Sequence, residues 1–430
     1  MQKIDNITGF HRYIFNLKLK IHVFLSFLPE LFRGRITLKR FILFVKRMLF
    51  FLSKLQHNKF IRIGGKTKID LYIPGYPSKA FLTACKKFIQ FDDKMPCTTV
   101  LISVTSACMY NCSHCYQKHD KGKDIQIDLL TDVVKNLQNM GIAFFNIEGG
   151  EPFLVYERLK KVCTSIDERS EIWINSTGVG ITKERLLELK KMNVTAIMFS
   201  MHNSNQGIFN KFMGSDSAWE TFESSVHMCH EADMAVAINT CLLKEDFYNN
   251  QFEKIMEKAK ELNVSLVQLI KPKPTGGWLG KENLEFTKDD IKYIKSKVWQ
   301  YNSKKEFEKY PSIFAQIIEE SEDVFGCTAG GIDRFYINAK GDVQPCEFLN
   351  ISFGNISEEC FELIYNKMRN CFDWGGDCNL CEKYSKDIYK LYKKHNSASL
   401  PLSPVLSKQI YTSWNRGNKT ELYEKLEKLQ

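Results

Sequence analysis

Between Thr98 and Ile270 the sequence alternates between two hydrophobic periods, and that alternation limits the fold more than any other feature. Apolar, strand-like runs stand at Thr99–Val104, Ala143–Ile147, Ile172–Asn175, Thr195–Ser200, Ala235–Cys241 and Ser265–Ile270. Segments with helical spacing separate them, at Leu129–Met140, Tyr156–Asp167, Lys183–Met192, Ala218–Ala232 and Phe252–Leu262. Strands joined through helices pair in parallel, because each helix carries the chain back to the same end of the sheet. Right-handed crossovers curl such a sheet, so the α/β pattern predicts a partial (β/α)6 barrel. In barrel-like sheets, chemistry gathers at the C-terminal ends of the strands.

Composition removes other classes. At 430 residues the chain exceeds one ordinary domain. Its 44% hydrophobic and 26% charged residues exclude wholesale disorder. A mean hydropathy of -0.28 argues against a polytopic membrane protein. The longest uncharged runs, Met95–Gln117 and Met192–Asn210, are interrupted by Ser, Thr and Asn, so neither reads as a span.

The net charge of +10 is concentrated: residues 1–66 hold 14 Lys/Arg against 2 Asp/Glu, and the rest of the chain is close to neutral. A body that gripped nucleic acid would carry the positive charge itself, so no nucleic-acid partner is expected. Lys18, Lys20 and Glu30 interrupt the early apolar stretch, and no secretory signal is read there. A cytoplasmic, reducing location follows as the expectation, and there 14 Cys point to metal ligands or catalysis before disulfides.

The basic residues 1–66 read as an amphipathic helical arm. From Ile36 to Leu55 a wide apolar arc is edged by Lys39/Arg40, Lys46/Arg47 and Lys54, seven residues apart. An earlier, similar stretch from Tyr13 to Phe32 is broken at Pro29. Such a helix suits the headgroup region of an anionic membrane, giving peripheral contact through residues 1–58 at its inner face. The competing reading packs it on the body or at a dimer interface. A hairpin (Phe60–Ile63, Gly64-Gly65, Lys68–Ile73) and a helix near Lys79–Phe91 lead, over 67–97, into a core at 98–290. A helical connection is expected at 291–320, a Cys-rich domain at 321–395 and a tail at 396–430.

Directly after the first strand stands Cys108-Met-Tyr-Asn-Cys112-Ser-His114-Cys115. Three thiolates on one loop can close on one inorganic cluster and leave a fourth position open. Zinc is the alternative, with His114 or His119 as fourth ligand. After the second strand comes Gly149-Gly150-Glu151-Pro152, where two glycines allow close backbone approach.

These motifs resemble the radical S-adenosylmethionine (SAM) superfamily. The resemblance implies a [4Fe-4S] cluster on Cys108, Cys112 and Cys115, with the open iron binding the amino and carboxylate groups of SAM. It implies reductive cleavage to a 5′-deoxyadenosyl radical that abstracts a substrate hydrogen, with an electron donor such as flavodoxin or ferredoxin. His114, Gly149, Gly150, Glu151 and Pro152 become expected cofactor contacts. Asn175, Ser200 and Asn239, at the ends of later strands, join them on a weaker match, where plain strand capping competes.

Near the C-terminus, Cys327, Cys346, Cys378 and Cys381 resemble the SPASM extension in its shortened "twitch" form. That implies one auxiliary [4Fe-4S] cluster, closed by four thiolates and able to accept an electron. A structural zinc site is the alternative, and Cys371 or Cys360 could replace a ligand. The family resemblance covers roughly 98–385. It implies oxidative C–H modification of a peptide as the commonest outcome. The arm points instead to a lipid- or membrane-linked molecule or sugar. A non-catalytic electron-transfer protein is the reading from another class.

Overall fold

In the computed structural model, which describes residues 5–429 except 56, 92, 93 and 398, three short strands come first. These are β1 (Asn6–Ile7), β2 (Phe60–Ile63) and β3 (Lys66–Lys68), antiparallel in that order. Then come the six expected strands: β4 (Thr99–Ser103), β5 (Phe144–Glu148), β6 (Glu171–Ser176), β7 (Val194–Ser200), β8 (Ala235–Cys241) and β9 (Leu266–Ile270). They lie side by side in sequence order, all parallel. Helices between them bury apolar stripes, as Ile127–Met140 does with Leu130, Val133, Val134 and Leu137.

The sheet continues past both expected edges. A strand β10 (Ser312–Ala315) pairs in parallel with β9, inside the stretch expected to be a helical connection. At the other edge β11 (Arg334–Ile337) pairs in parallel with β4, and β12 (Val343–Gln344) turns back antiparallel. The Cys-rich region therefore shares a sheet with the core, and a boundary at 320/321 cuts no independent unit. The hairpin is also shorter than expected. It closes at Lys68, so a boundary at 66/67 would divide it, and the helix near Lys79–Phe91 is two pieces, Lys79–Cys85 and Lys87–Gln90.

The hairpin plugs the barrel floor. Ile61, Ile63 and Leu71 pack with Phe144, Trp173, Ala196, Ala237, Leu266 and Phe314, which come from successive strands. One buried ion pair pins the plug, with Lys68 Nζ 2.8 Å from Glu171. Glu171 also accepts from Gly75 N (2.7 Å) and Trp173 Nε1 (2.8 Å), so its charge is fully hydrogen-bonded.

The arm forms two helices, α1 (Gly9–Phe32) and α2 (Leu38–Lys54), with Gly34 turning between them at φ +67°. It is built into the body. Phe51 meets Phe88 and Phe325, with ring centroids at 5.2 and 5.4 Å. Buried Arg47 donates to the carbonyls of Phe91 (2.6 Å) and Leu429 (3.2 Å). The tail 396–430 is likewise structural: Leu422, Tyr423 and Leu426 of its last helix are buried.

Just after α2, His57 Nε2 lies 3.1 Å from Asp70 and 3.2 Å from Glu319. Burial opposes the charged imidazole, but the two carboxylates outweigh it and hold His57 up to about 9. Asp70 is correspondingly held low, while burial and Asp70 push Glu319 up to about 7. A histidine raised on folding stabilises fully below its ordinary value of 6.5, and the contribution disappears as pH rises through about 9. Thermal melts from about pH 7 to about pH 10 should therefore show a steeper fall in Tm than His57→Gln gives, where only the raised Glu319 still loses stability on ionising. At neutral pH that variant should be less stable by roughly 3 kcal/mol, because two buried carboxylates lose their cation. Equal melting of both proteins across the range would contradict this.

Candidate active site

The loop after β4 carries Cys108, Cys112 and Cys115, and three other segments clasp its backbone. Gly150 N donates to Thr105 O (2.7 Å) and Glu151 N to Ala107 O (2.8 Å). Asn111 N reaches Met213 O (3.1 Å), at the end of the helix Gln206–Met213. Gly277 N reaches Cys115 O (2.9 Å). These approaches are what demand glycine. A Cβ at Gly150 would fall 2.2 Å from Ala107 O, and one at Gly276, where φ is +52°, 2.3 Å from Cys115 O. Gly149 and Gly150 thus fix the cysteine loop as well as bordering the cavity above it.

The thiols lie within one another's electrostatic reach. Burial, then the charges of Cys115 and Cys108, push Cys112 up to about 12, and burial with Cys108 pushes Cys115 up to about 11. Three sulfurs that resist ionisation alone will ionise against a metal centre. Cys108 stays exposed at the loop's edge, next to Met109.

A cavity opens above the C-terminal ends of the strands. His114, Gly149, Gly150, Asn175, Ser200 and Asn239 all line it. Nδ1 of His114 and the Oδ1 atoms of Asn175 and Asn239 are buried with no protein partner. Buried polar atoms rarely stay unsatisfied, and three converging on one chamber fit a polar ligand such as SAM. Burial pushes His114 down to about 4, so its ring is neutral. It lies at centroid distances of 4.4 Å from His202 and 4.7 Å from Phe212, an aromatic group suited to a flat base.

Glu151 and Pro152 behave differently. Glu151 is fully buried and accepts from Phe153 N (3.0 Å), Ser176 Oγ (2.9 Å), Thr177 N (2.6 Å) and Thr177 Oγ1 (2.5 Å). Its carboxylate ties the glycine motif to the end of β6. Pro152 starts the 3-10 turn that follows.

The second cysteine group closes the same end of the barrel. Cys346 and Cys381 are buried, Cys327 and Cys378 partly so. Cys381 stands in the field of Cys327, and Cys346 in that of Cys381. Cys327 N donates to Gly376 O (2.8 Å), which draws the Cys378 loop alongside. Glu382, next to Cys381, bridges Lys271 (2.8 Å) and Lys273 (2.7 Å), which follow β9 and line the chamber. Burial opposes its charge, but the two lysines hold Glu382 down to about 2. Cys371 borders the site, because Arg416 feels both Cys327 and Cys371. The Cys360 thiol is exposed and donates to Glu362 (2.6 Å).

A family model described as the Radical SAM superfamily matches residues 102–267, and one described as an iron-sulfur cluster-binding domain (SPASM) matches 327–382. The chain belongs to the radical SAM superfamily. It is an enzyme, and its cofactors are [4Fe-4S] clusters and SAM. An AdoMet-dependent heme synthase of Methanosarcina barkeri is 25% identical over 309 residues, 65% of this chain and 86% of that one. A GTP 3',8-cyclase of Clostridium perfringens is 25% identical over 313 residues, 69% and 90% of the two chains. Among solved structures, Streptococcus suis SuiB bound to S-adenosylmethionine is similar in fold. Its TM-score is 0.54 at 14% identity, over 80% of this chain and 81% of that one. No described helix is long and apolar enough to cross a membrane.

Several chamber residues lie outside the sequence motifs, Lys271, Lys273 and Glu148 among them. Glu148, the last residue of β5, is buried and accepts from Tyr116 Oη (2.7 Å) and Asn175 Nδ2 (3.0 Å). Burial, then the charge of Glu347, pushes it up to about 8. Its signal was present, because Asn146 and Glu148 share one face of an otherwise apolar strand.

Proposed function

We propose that this radical SAM enzyme oxidises an unreactive C–H bond of a substrate held in the chamber between the two cysteine groups. The observation that carries the reading is the convergence of the unpartnered atoms of His114, Asn175 and Asn239 beside the Cys108–Cys115 loop. In this reading Cys108, Cys112 and Cys115 hold the SAM-binding cluster, and Cys327, Cys346, Cys378 and Cys381 hold the auxiliary one. Bound there, these groups supply a 5′-deoxyadenosyl radical and a sink for one electron. The exposed edge at Cys108 and Met109 gives a reduced flavodoxin or ferredoxin its approach.

Oxidation also releases a proton. Glu148 lines the chamber, and a carboxyl near pH 8 is matched to taking that proton. Product formation should rise with pH through about 8, where Glu148 ionises. Glu148→Gln should flatten that profile and lower product about a hundredfold. Formation of 5′-deoxyadenosine should stay within about twofold, since the cysteine loop is untouched. A variant with a wild-type pH profile would remove Glu148 from this role.

For the substrate, SuiB bound to its precursor peptide, with a TM-score of 0.54 at 15% identity, supports a peptide through fold likeness. A lipid-linked molecule is supported by this chain's own basic, apolar arm, and that is the class proposed. Anaerobic reconstitution with SAM and a reductant tests the reading. Formation of 5′-deoxyadenosine is expected, and its absence from a protein holding both clusters would overturn it.

A further inference from the structure

Helix α1 is apolar on two faces. Leu19, Val23 and Phe27 are buried against the body. On the outer side Phe10, Tyr13, Leu17, Ile21, Leu25 and Phe32 are exposed, at steps of three, four and seven residues. The outer row continues on α2 through Leu38, Ile42 and Leu49. One helix face satisfies the fold, so the second row is not needed for packing. Exposed Lys18, Arg33, Arg35, Lys39, Arg40 and Lys46 accompany it, and Glu30 is the only acidic residue from 6 to 69.

Under the arm lies a second cavity. Val23, Met48, Phe51 and Leu52 of the arm wall it, with Phe81 and Phe314 of the body. Tyr72, Gln268, Ile270, Glu347 and Phe348 line both this cavity and the chamber. A single layer of side chains therefore separates the two. The arm's side of the cavity is apolar apart from Lys87, which lies over Phe51, and polar groups stand at the inner end, matching a molecule with a hydrocarbon chain and a polar head.

We propose that the outer face of α1 and α2 rests on an anionic bilayer, and that an amphiphile drawn from it lies with its hydrocarbon chain under the arm and its polar end toward the chamber. This rests on the radical oxidation proposed above and names where its substrate comes from. The apolar row meets the acyl boundary while the arm's cations meet anionic headgroups. Val23, between the outer row and the cavity, and Leu52 border the chain's path.

The full-length enzyme tests this directly. Vesicles of phosphatidylcholine with phosphatidylglycerol should sediment it, and phosphatidylcholine alone should do so at least about tenfold more weakly. Leu17→Ser with Ile21→Ser and Leu25→Ser should weaken binding by a similar factor with an unchanged melting temperature, because these side chains are exposed. For the cavity, a pyrene-labelled lysophosphatidylglycerol in free solution is the probe. It should bind the wild type, and Leu52→Trp, which fills the space, should weaken it about tenfold without lowering Tm. Uncoupled 5′-deoxyadenosine formation is followed in each protein. If it persists while vesicles of both kinds bind equally, or while Leu52→Trp binds the probe like the wild type, the amphiphile proposal falls alone. If 5′-deoxyadenosine never forms, the radical reading falls instead.

Discussion

Replacing Cys108, Cys112 and Cys115 together with Ala should remove about half of the roughly eight irons that two cubes hold, and abolish 5′-deoxyadenosine altogether. The loop itself should survive. Its backbone is clasped by Gly150, Glu151, Met213 and Gly277 through hydrogen bonds that involve no thiol. Iron and sulfide analysis with a single-turnover assay reads both effects. A triple variant that still cleaves SAM would end the assignment of this loop.

The second large effect concerns the other cysteines. Cys378→Ala with Cys381→Ala should keep 5′-deoxyadenosine and lose most of the product, since four thiolates leave no position open for substrate. Stability is the confounder, because Cys381 is buried beside Glu382 and metal sites contribute to folding. Circular dichroism and a melt separate the two causes. The ties of Glu382 to Lys271 and Lys273 are independent of the thiols and should keep that segment docked. A folded double variant that makes full product would show that this group is not the acceptor. Zinc in place of iron there would remove the redox role entirely.

Much of this was readable from residues. The core strands announce themselves because each is a short apolar run, buried on both faces, as Thr99–Ser103 is throughout. The cysteine spacings carry the resemblance on which the two proposed cluster sites rest. What the sequence hid depends on distant partners. β10 is only four residues, Ser312–Ala315, after a charged helix, and it becomes a strand because β9 offers it an edge. β11 is equally short, and nothing in Arg334–Ile337 says that its neighbour is β4. The His57, Asp70 and Glu319 group joins three separate segments and has no local signal. Glu151 was read toward the ligand because it follows two glycines, whereas the fold turns its carboxylate onto Ser176 and Thr177. The wide arc from Ile36 to Leu55 has its reason in α2, where Phe41, Phe44, Met48 and Phe51 are buried while Leu38, Ile42 and Leu49 stay exposed.

The pairing of β11 with β4 also governs how the protein can be made. β4 leads straight into the Cys108 loop, and until Arg334–Ile337 has left the ribosome it is the unpaired margin of a growing sheet, with Val100, Leu101 and Ile102 at its centre. Such a margin invites pairing with other chains. Cluster loading onto the first loop and synthesis of the last third of the chain are therefore coupled events. A core fragment ending before β11, cut to obtain a one-cluster enzyme, would carry a permanent aggregation edge beside its own metal loop.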